Sequence, residues 1–355
     1  MPINQQQKLV ENALDIKTIE QAPTRKGFGE GLLEIGKQNA NVIGLCADLT
    51  ESTQMHLFAK AFPERFVQVG IGEQNLAALA SGFAAMGKIP YITSYAMFSP
   101  GRNWEQIRTT IGYNNQPVKI IGSHAGVSVG PDGATHQAVE DMAITRVIPN
   151  MVVIAPCDMH EGKKASLAVA SINSPCYIRY TREKTPVFTT PETPFVVGKA
   201  EVIFDSNFNL ESVPPNSEES SPEDVSGQSK LLDVALIACG PLVHNALLAA
   251  ADLEKEGLKV RVINNHTIKP MDEETITKAA QDSGAIVTVE EHQVHGGMGS
   301  RVAEILSQRH PVPIEFIGVQ NRYGESGEPN ELIEHFGMGV SHIKEAVKKV
   351  IARKK

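Results

Sequence analysis

Short, continuously apolar runs recur along this chain, each followed by a stretch whose apolar positions have helical spacing, and few architectures accommodate that rhythm. In the first half the runs fall at Asn41 to Ala47, Val118 to Ser123, Met151 to Ala155 and Cys176 to Tyr180. Continuous rather than alternating apolarity suits strands covered on both faces, as in a parallel sheet. Such strands alternating with helices predict an α/β fold. Thr24 is placed to cap a helix carrying Phe28, Leu32, Leu33 and Ile35, while Glu73 opens EQNLAALASGFAAM, whose Leu76, Ala77, Ala80, Phe83 and Ala84 share one face. Gly87 is positioned to end that helix.

From Asp205 to Lys230 the text becomes rich in Ser, Pro and acidic residues with no period. Such a stretch cannot bury enough surface to offset its ordering entropy, and it reads as an exposed linker or loop insertion. Three more strand candidates follow, Leu232 to Cys239, Leu258 to Asn264 and Ala285 to Glu290. The expected organisation is an amino-terminal extension (1–23), a first α/β domain (24–204), the acidic segment (205–230) and a second α/β domain (231–355). A length of 355 residues suits two such domains at roughly 150 residues each. There is no internal repeat at a solenoid period.

The 33 Lys and Arg against 41 Asp and Glu give a net charge of -8, which argues against nucleic-acid or anionic-membrane partners. An anionic substrate would need locally gathered cations. Cys46, Cys157, Cys176 and Cys239 show no C-x-x-C spacing and read as reduced thiols, hence a cytoplasmic protein. Neither a signal peptide nor an apolar stretch long enough to cross a bilayer is present in the sequence.

The densest unusual sequence lies between Cys46 and His136. ADLTES, Ala47 to Ser52, follows an apolar run directly, and open α/β sheets bind ligands at the carboxyl ends of their strands. Asp48 there is either a ligand-binding group or a cap on the next turn. In VGIGEQN a carboxylate, Glu73, opens an apolar helix behind two glycines; it serves the helix dipole or chemistry, and no GxGxxG fingerprint is formed. Tyr91, Tyr95, Phe98 and Trp104 crowd into a short span of a chain that is only 5% aromatic, for core packing or to stack on a flat ring. The glycine-punctuated loop SHAGVSVGPDGATHQ carries His124, Asp132 and His136, an acid–base kit on a loop where function concentrates. Arg25, Arg102 and Arg182, near expected strand ends, could together receive a phosphate. Two weaker signals lie in the second domain. Gly296, Gly297 and Gly299 form a tight turn or expose a helix terminus to an anion. His292 and His295 lack further ligands at a convincing distance, so no zinc site is expected.

In this order and at these separations the elements resemble the carboxyl-terminal section of transketolase, a pyrimidine-binding domain followed by a carboxyl-terminal domain. The resemblance runs from Thr24-Arg25-Lys26 to the end of the chain and rests above all on VGIGEQN and GPDGATHQ. It departs in the acidic insertion after Asp205 and in the absence of the family's amino-terminal domain, whose Gly-Asp-Gly motif holds the metal and diphosphate of thiamine diphosphate. The nearest string here, Pro131-Asp132-Gly133, lies in the histidine loop and cannot serve that role.

The resemblance therefore implies one subunit of a split transketolase, inactive alone. A separate amino-terminal partner would carry Gly-Asp-Gly and most of the hold on Mg2+ (or Ca2+), in an α2β2 assembly serving the pentose phosphate pathway. It implies transfer of a two-carbon ketol unit from a ketose phosphate to an aldose phosphate. Glu73 would match the catalytic glutamate at the aminopyrimidine ring, Tyr95 and Phe98 the aromatic wall on that ring, and Asp48 an aspartate near the cofactor. Asp132 and His136 would recognise the donor hydroxyls, with His136 also exchanging protons, while Arg25, Ser52, Arg102, His124 and Arg182 would bind the sugar phosphate. Competing implications are a deoxyxylulose-phosphate synthase, a 2-oxo acid dehydrogenase beta subunit, which GPDGATHQ fits poorly, and a non-catalytic scaffold subunit, which has no need of Glu73, Asp132 and His136 together.

Overall fold

The computed structural model describes residues 2–208 and 232–354. Most of the segment read as a linker, residues 209–230, lies outside the described residues.

Each expected apolar run forms a strand, trimmed by a residue or two at its ends except the last, which runs on from Glu290 to Gln293. The first sheet has seven strands in the order Thr267–Lys269, Val152–Ile154, Cys176–Arg179, Lys119–Ser123, Ile89–Tyr95, Val42–Cys46 and Phe66–Gln68. Its six strands from the first half run parallel. Val42–Cys46 and Lys119–Ser123 are buried at every position, the condition that makes a continuously apolar run the right code. Lys119 is the exception in composition, and its ammonium donates to the carbonyls of Ile172 (2.6 Å) and Ser174 (3.0 Å). The second sheet has the order Ile314–Val319, Ile286–Gln293, Val234–Ala238, Val260–Asn264 and Glu201–Asp205, parallel except for the last strand.

Two edge strands cross between the halves. Glu201–Asp205, within the stretch assigned to the first domain by sequence, pairs antiparallel with Val260–Asn264 of the second sheet. Thr267–Lys269, from the second half, pairs antiparallel with Val152–Ile154 of the first. The amino-terminal extension joins the second half too: Ile3 bridges Phe204, and Ala13 and Ile19 sit in the core around Leu236 and Val262. A second core cluster is continuous between the halves, running from Leu45 and Ile92 to Ile237 and Ile263.

The first helix, Thr24–Gln38, is capped at Pro23, so Thr24 is its first helical residue rather than its cap. A capping side chain must come from the extended residue before the helix, and Thr24 Oγ1 instead accepts the backbone N–H of Thr181 at 2.8 Å. That bond ties the helix start to the end of strand Cys176–Arg179. The helix lies tightly on helix Met159–Ala168, since a Cβ on Gly27 would fall 2.1 Å from the Met159 carbonyl oxygen. The helix opened by Glu73 runs Glu73–Ala85 and buries Leu76, Ala77, Ala80 and Ala84, and Gly87 follows it at a φ of 81°.

Candidate active site

The residues singled out by sequence gather at the carboxyl edge of the first sheet. Asp48 follows strand Val42–Cys46, Tyr95 ends strand Ile89–Tyr95, His124 follows Lys119–Ser123, and Arg182 follows Cys176–Arg179. Asp48 and His124 both hold positive φ, 59° and 56°, a backbone region that non-glycine residues rarely occupy. Two strand ends, on either side of strand Ile89–Tyr95, thus carry strained residues on the same edge.

Glu73 is only 4% exposed. Its Oε1 accepts the hydroxyl of Ser94 at 3.0 Å. The Nδ2 of buried Asn103 donates to the Glu73 carbonyl (2.9 Å) and to Ser99 Oγ (3.2 Å), clamping the first turn of the helix to the aromatic segment. Among the described residues nothing donates to Glu73 Oε2, leaving one carboxyl oxygen for a ligand.

Beyond Ser94 the aromatics form a wall. The Tyr95 ring stacks on Phe98 with centroids 6.4 Å apart and on the His124 imidazole at 3.9 Å. His136 stands edge-on to Phe98 (5.3 Å) and to Tyr95 (6.3 Å). The helix Thr24–Gln38 delivers Arg25, whose Nη1 donates to the Ser52 carbonyl at 2.5 Å and to His124 Nε2 at 3.2 Å. A guanidinium only donates, so Nε2 accepts, and Nδ1 carries the proton that goes to Ser123 Oγ at 2.9 Å. Burial, with Arg25, Arg182 and His136 adding repulsion, pushes the His124 pKa down to about 3, so the imidazole is neutral at pH 7. Arg182 donates to the Val129 carbonyl (2.6 Å) and lies 3.8 Å from Asp132.

Arg25, Ser52, Tyr95, Phe98, His124 and His136 therefore form one connected set. Arg182 pairs with Asp132 and its charge acts on Arg25 and His124, and Ser94, bonded to Glu73, precedes Tyr95 in the chain. Two candidates stand apart from it. Asp48 is exposed on the rim, its N–H donating to Gln68 Oε1 at 2.8 Å. Arg102 is exposed, and among the described residues no hydrogen bond or ion pair links its guanidinium to the set. Ser94, Asn103 and Ser123 were not singled out by sequence. For Ser94 and Ser123 the available signal was a hydroxyl in a buried strand, which has to find a partner, whereas Asn103, outside any strand, gave none. In the second domain the turn at Gly296 and Gly297 exposes no helix terminus to an anion, because Glu290 accepts from the N–H groups of Met298 (2.7 Å) and Gly299 (2.8 Å). Among the described residues no group of three His, Cys, Asp or Glu side chains could hold a metal.

Two wound α/β domains follow one another in the chain, the first carrying a buried helix-start carboxyl bonded to the residue before an aromatic wall. Residues 20–187 match the pyrimidine-binding domain of transketolase, and residues 227–343 match the transketolase C-terminal domain. The chain belongs to the transketolase family. It is 39% identical over 317 residues to a transketolase C-terminal section of Methanocaldococcus jannaschii, covering 88% of this chain and 92% of that one. It is 33% identical to the 6-deoxy-6-sulfo-D-fructose transketolase subunit SqwH of a Clostridium species, over 95% of this chain and 97% of that one. A solved split-gene transketolase, described as an inactive beta4 tetramer, superposes with a TM-score of 0.81 at 38% identity, over 94% of this chain and 99% of that one.

Proposed function

We propose that this chain is the pyrimidine-side subunit of a two-chain transketolase, working with thiamine diphosphate and a separate amino-terminal subunit. One observation carries the reading. A buried carboxyl has one oxygen held by Ser94 and the other open, and Ser94 immediately precedes Tyr95, whose ring stacks on Phe98, an arrangement that suits a flat heterocycle with a ring nitrogen at one edge. In that role Glu73 holds a proton at the pyrimidine nitrogen through Oε2, Tyr95 and Phe98 bound the ring, and Asp48 lies nearby on the rim. When bound, the cofactor supplies the nucleophilic carbon that carries the two-carbon unit. Asp132 and His136 bind the donor hydroxyls, with His136 exchanging protons with the transferred fragment. Arg25, Ser52 and Arg182 receive the anionic end of the sugar, with neutral His124, engaged by Arg25 and Ser123, setting the Arg25 guanidinium there, and Arg102 an outlying member.

The split-chain reading is supported by relatives of similar length that carry subunit names. It assigns the Gly-Asp-Gly motif, and with it the hold on Mg2+ or Ca2+, to the partner in an α2β2 particle. Relatives named for apulose 4-phosphate and for a sulfonated fructose extend the donor class to ketoses with an anionic end group, beyond pentose phosphates alone. The division at about residues 24–204 and 231–355 and a cytoplasmic location belong to the same proposal.

The test is co-expression with a Gly-Asp-Gly chain followed by assays for ketol transfer from xylulose 5-phosphate and for decarboxylation of pyruvate. Transfer without decarboxylation supports the assignment, and the converse selects one of the pyruvate-using alternatives, a 2-oxo acid dehydrogenase or a deoxyxylulose-phosphate synthase. The isolated chain should show no tight stoichiometric binding of thiamine diphosphate by titration calorimetry, and such binding would refute the shared site.

A further inference from the structure

The loop that carries Asp132 and His136 has little stiffness of its own. Gly126, Gly130 and Gly133 all hold positive φ, at 89°, 82° and 75°, where the absence of a side chain leaves the backbone free to move. A recognition site nevertheless has to be held to within about 0.5 Å. Much of the hold on this loop comes from the second domain. Glu291, on strand Ile286–Gln293 and 3% exposed, accepts the backbone N–H of Ser128 through Oε1 at 2.7 Å. A Cβ on Gly126 would fall 2.2 Å from that same oxygen, so loop and carboxylate are in close contact.

Gln137, 2% exposed, acts as a pin between the halves. Its Nε2 donates to the carbonyls of Val127 (3.0 Å) and Gly130 (3.2 Å) within the loop and to that of Glu325 (2.9 Å) in the second domain. The segment around Glu325 also abuts the loop directly: Cβ atoms on Gly130 and Gly133 would meet Pro329 Cγ at 3.0 Å and Ser326 Oγ at 2.6 Å. Past the loop, the Gln293 N–H donates to the Val139 carbonyl at 2.7 Å.

We infer that Glu291 and Gln137 are positioning residues through which the second domain sets the Asp132–His136 loop for the donor ketose, without touching substrate itself. The inference rests on the proposed role of that loop. It gives the second domain a part in substrate recognition and explains why glycines recur where that domain presses on the loop.

The test uses the full chain, first alone and then reconstituted with its partner. Hydrogen–deuterium exchange over residues 126–137 is compared for wild type, Glu291→Ala, Glu291→Gln and Gln137→Ala. Leaving the Ser128 N–H without its buried acceptor should speed exchange in that loop at least about tenfold in Glu291→Ala. Glu291→Gln keeps an oxygen for the Ser128 N–H and should stay close to wild type. In the reconstituted complex, Glu291→Ala and Gln137→Ala should raise KM for the ketose phosphate at least about fivefold, with kcat lowered by a smaller factor, since His136 shares the loop, and the acceptor KM nearly unchanged. Unchanged loop exchange and donor KM in both alanine variants, or equal damage from Glu291→Gln and Glu291→Ala, overturns the inference. If Glu291→Ala does not fold, Gln137→Ala carries the same comparison. A wild-type complex without ketol transfer refutes the proposed function instead, and the exchange data still decide whether the second domain holds the loop.

Discussion

Replacing Glu73 by Gln separates chemistry from folding at the centre of the site. The amide keeps the shape of the carboxyl, and its oxygen can still accept the Ser94 hydroxyl that now lies 3.0 Å away. The fold then loses at most about one hydrogen bond's worth of stability, ~1 kcal/mol. In a chain of this size that moves Tm by no more than about 2–4 °C. Catalysis loses its acid–base group, and such groups typically contribute ~10²–10⁴ in rate, about 3–5 kcal/mol of barrier. The assay is ketol transfer by the reconstituted complex with thiamine diphosphate and Mg2+ saturating, alongside a thermal melt. The expected pair of results is a near-unchanged melt and a kcat lowered at least a hundredfold, matched or exceeded by Glu73→Ala. Activity within about threefold of wild type would refute the role of Glu73, given the expected loss.

Arg182→Ala should raise KM for phosphorylated substrates by about tenfold, the effect of losing one charge-assisted contact, while lowering kcat less; an unchanged KM removes Arg182 from the anion site. His124 should stay neutral in the isolated chain from pH 8 down to about pH 5, seen as an imidazole resonance that does not titrate, because its pKa is held near 3. Its folded pKa lies below the unfolded value of 6.5, so the stability it contributes is complete above pH 6.5 and is lost as pH falls towards 3. An imidazole titrating near pH 6.5 would contradict the buried arrangement with Arg25. Gly27→Ala should gain about 1 kcal/mol of helix propensity and lose more to overpacking against the Met159 carbonyl, a net loss of about 1–2 kcal/mol. An unchanged or higher denaturation midpoint would show that the two helices can separate at no cost.

The seven apolar runs were legible as strands because their neighbours cover both faces, and a strand so placed has no polar side to interrupt it. Ile89–Tyr95 was harder to read: Pro90, Thr93 and Ser94 break its apolarity, and the reason for Ser94 is a carboxylate on a different element. Phe66–Gln68 is short and half-exposed, so it leaves almost no pattern. The exchange of edge strands Glu201–Asp205 and Thr267–Lys269 between the sheets is a matter of pairing partners distant in sequence, which composition and period do not encode. Among the candidate residues, those in VGIGEQN and GPDGATHQ stand out locally because their spacing is unusual. Arg102 has only its proximity to the aromatic segment to recommend it, and the fold leaves it exposed. Gln137 sits inside a readable motif, yet its hold on the Glu325 carbonyl depends on how the two halves dock and has no local signature.

The strand Thr267–Lys269 has a practical corollary. Because it seals the Val152–Ile154 edge from the far side of the chain, a fragment ending near residue 204 would present a bare hydrogen-bonding edge to its neighbours, an invitation to aggregate. The halves are laced, and attempts to study the cofactor-facing half by truncation should keep the whole polypeptide.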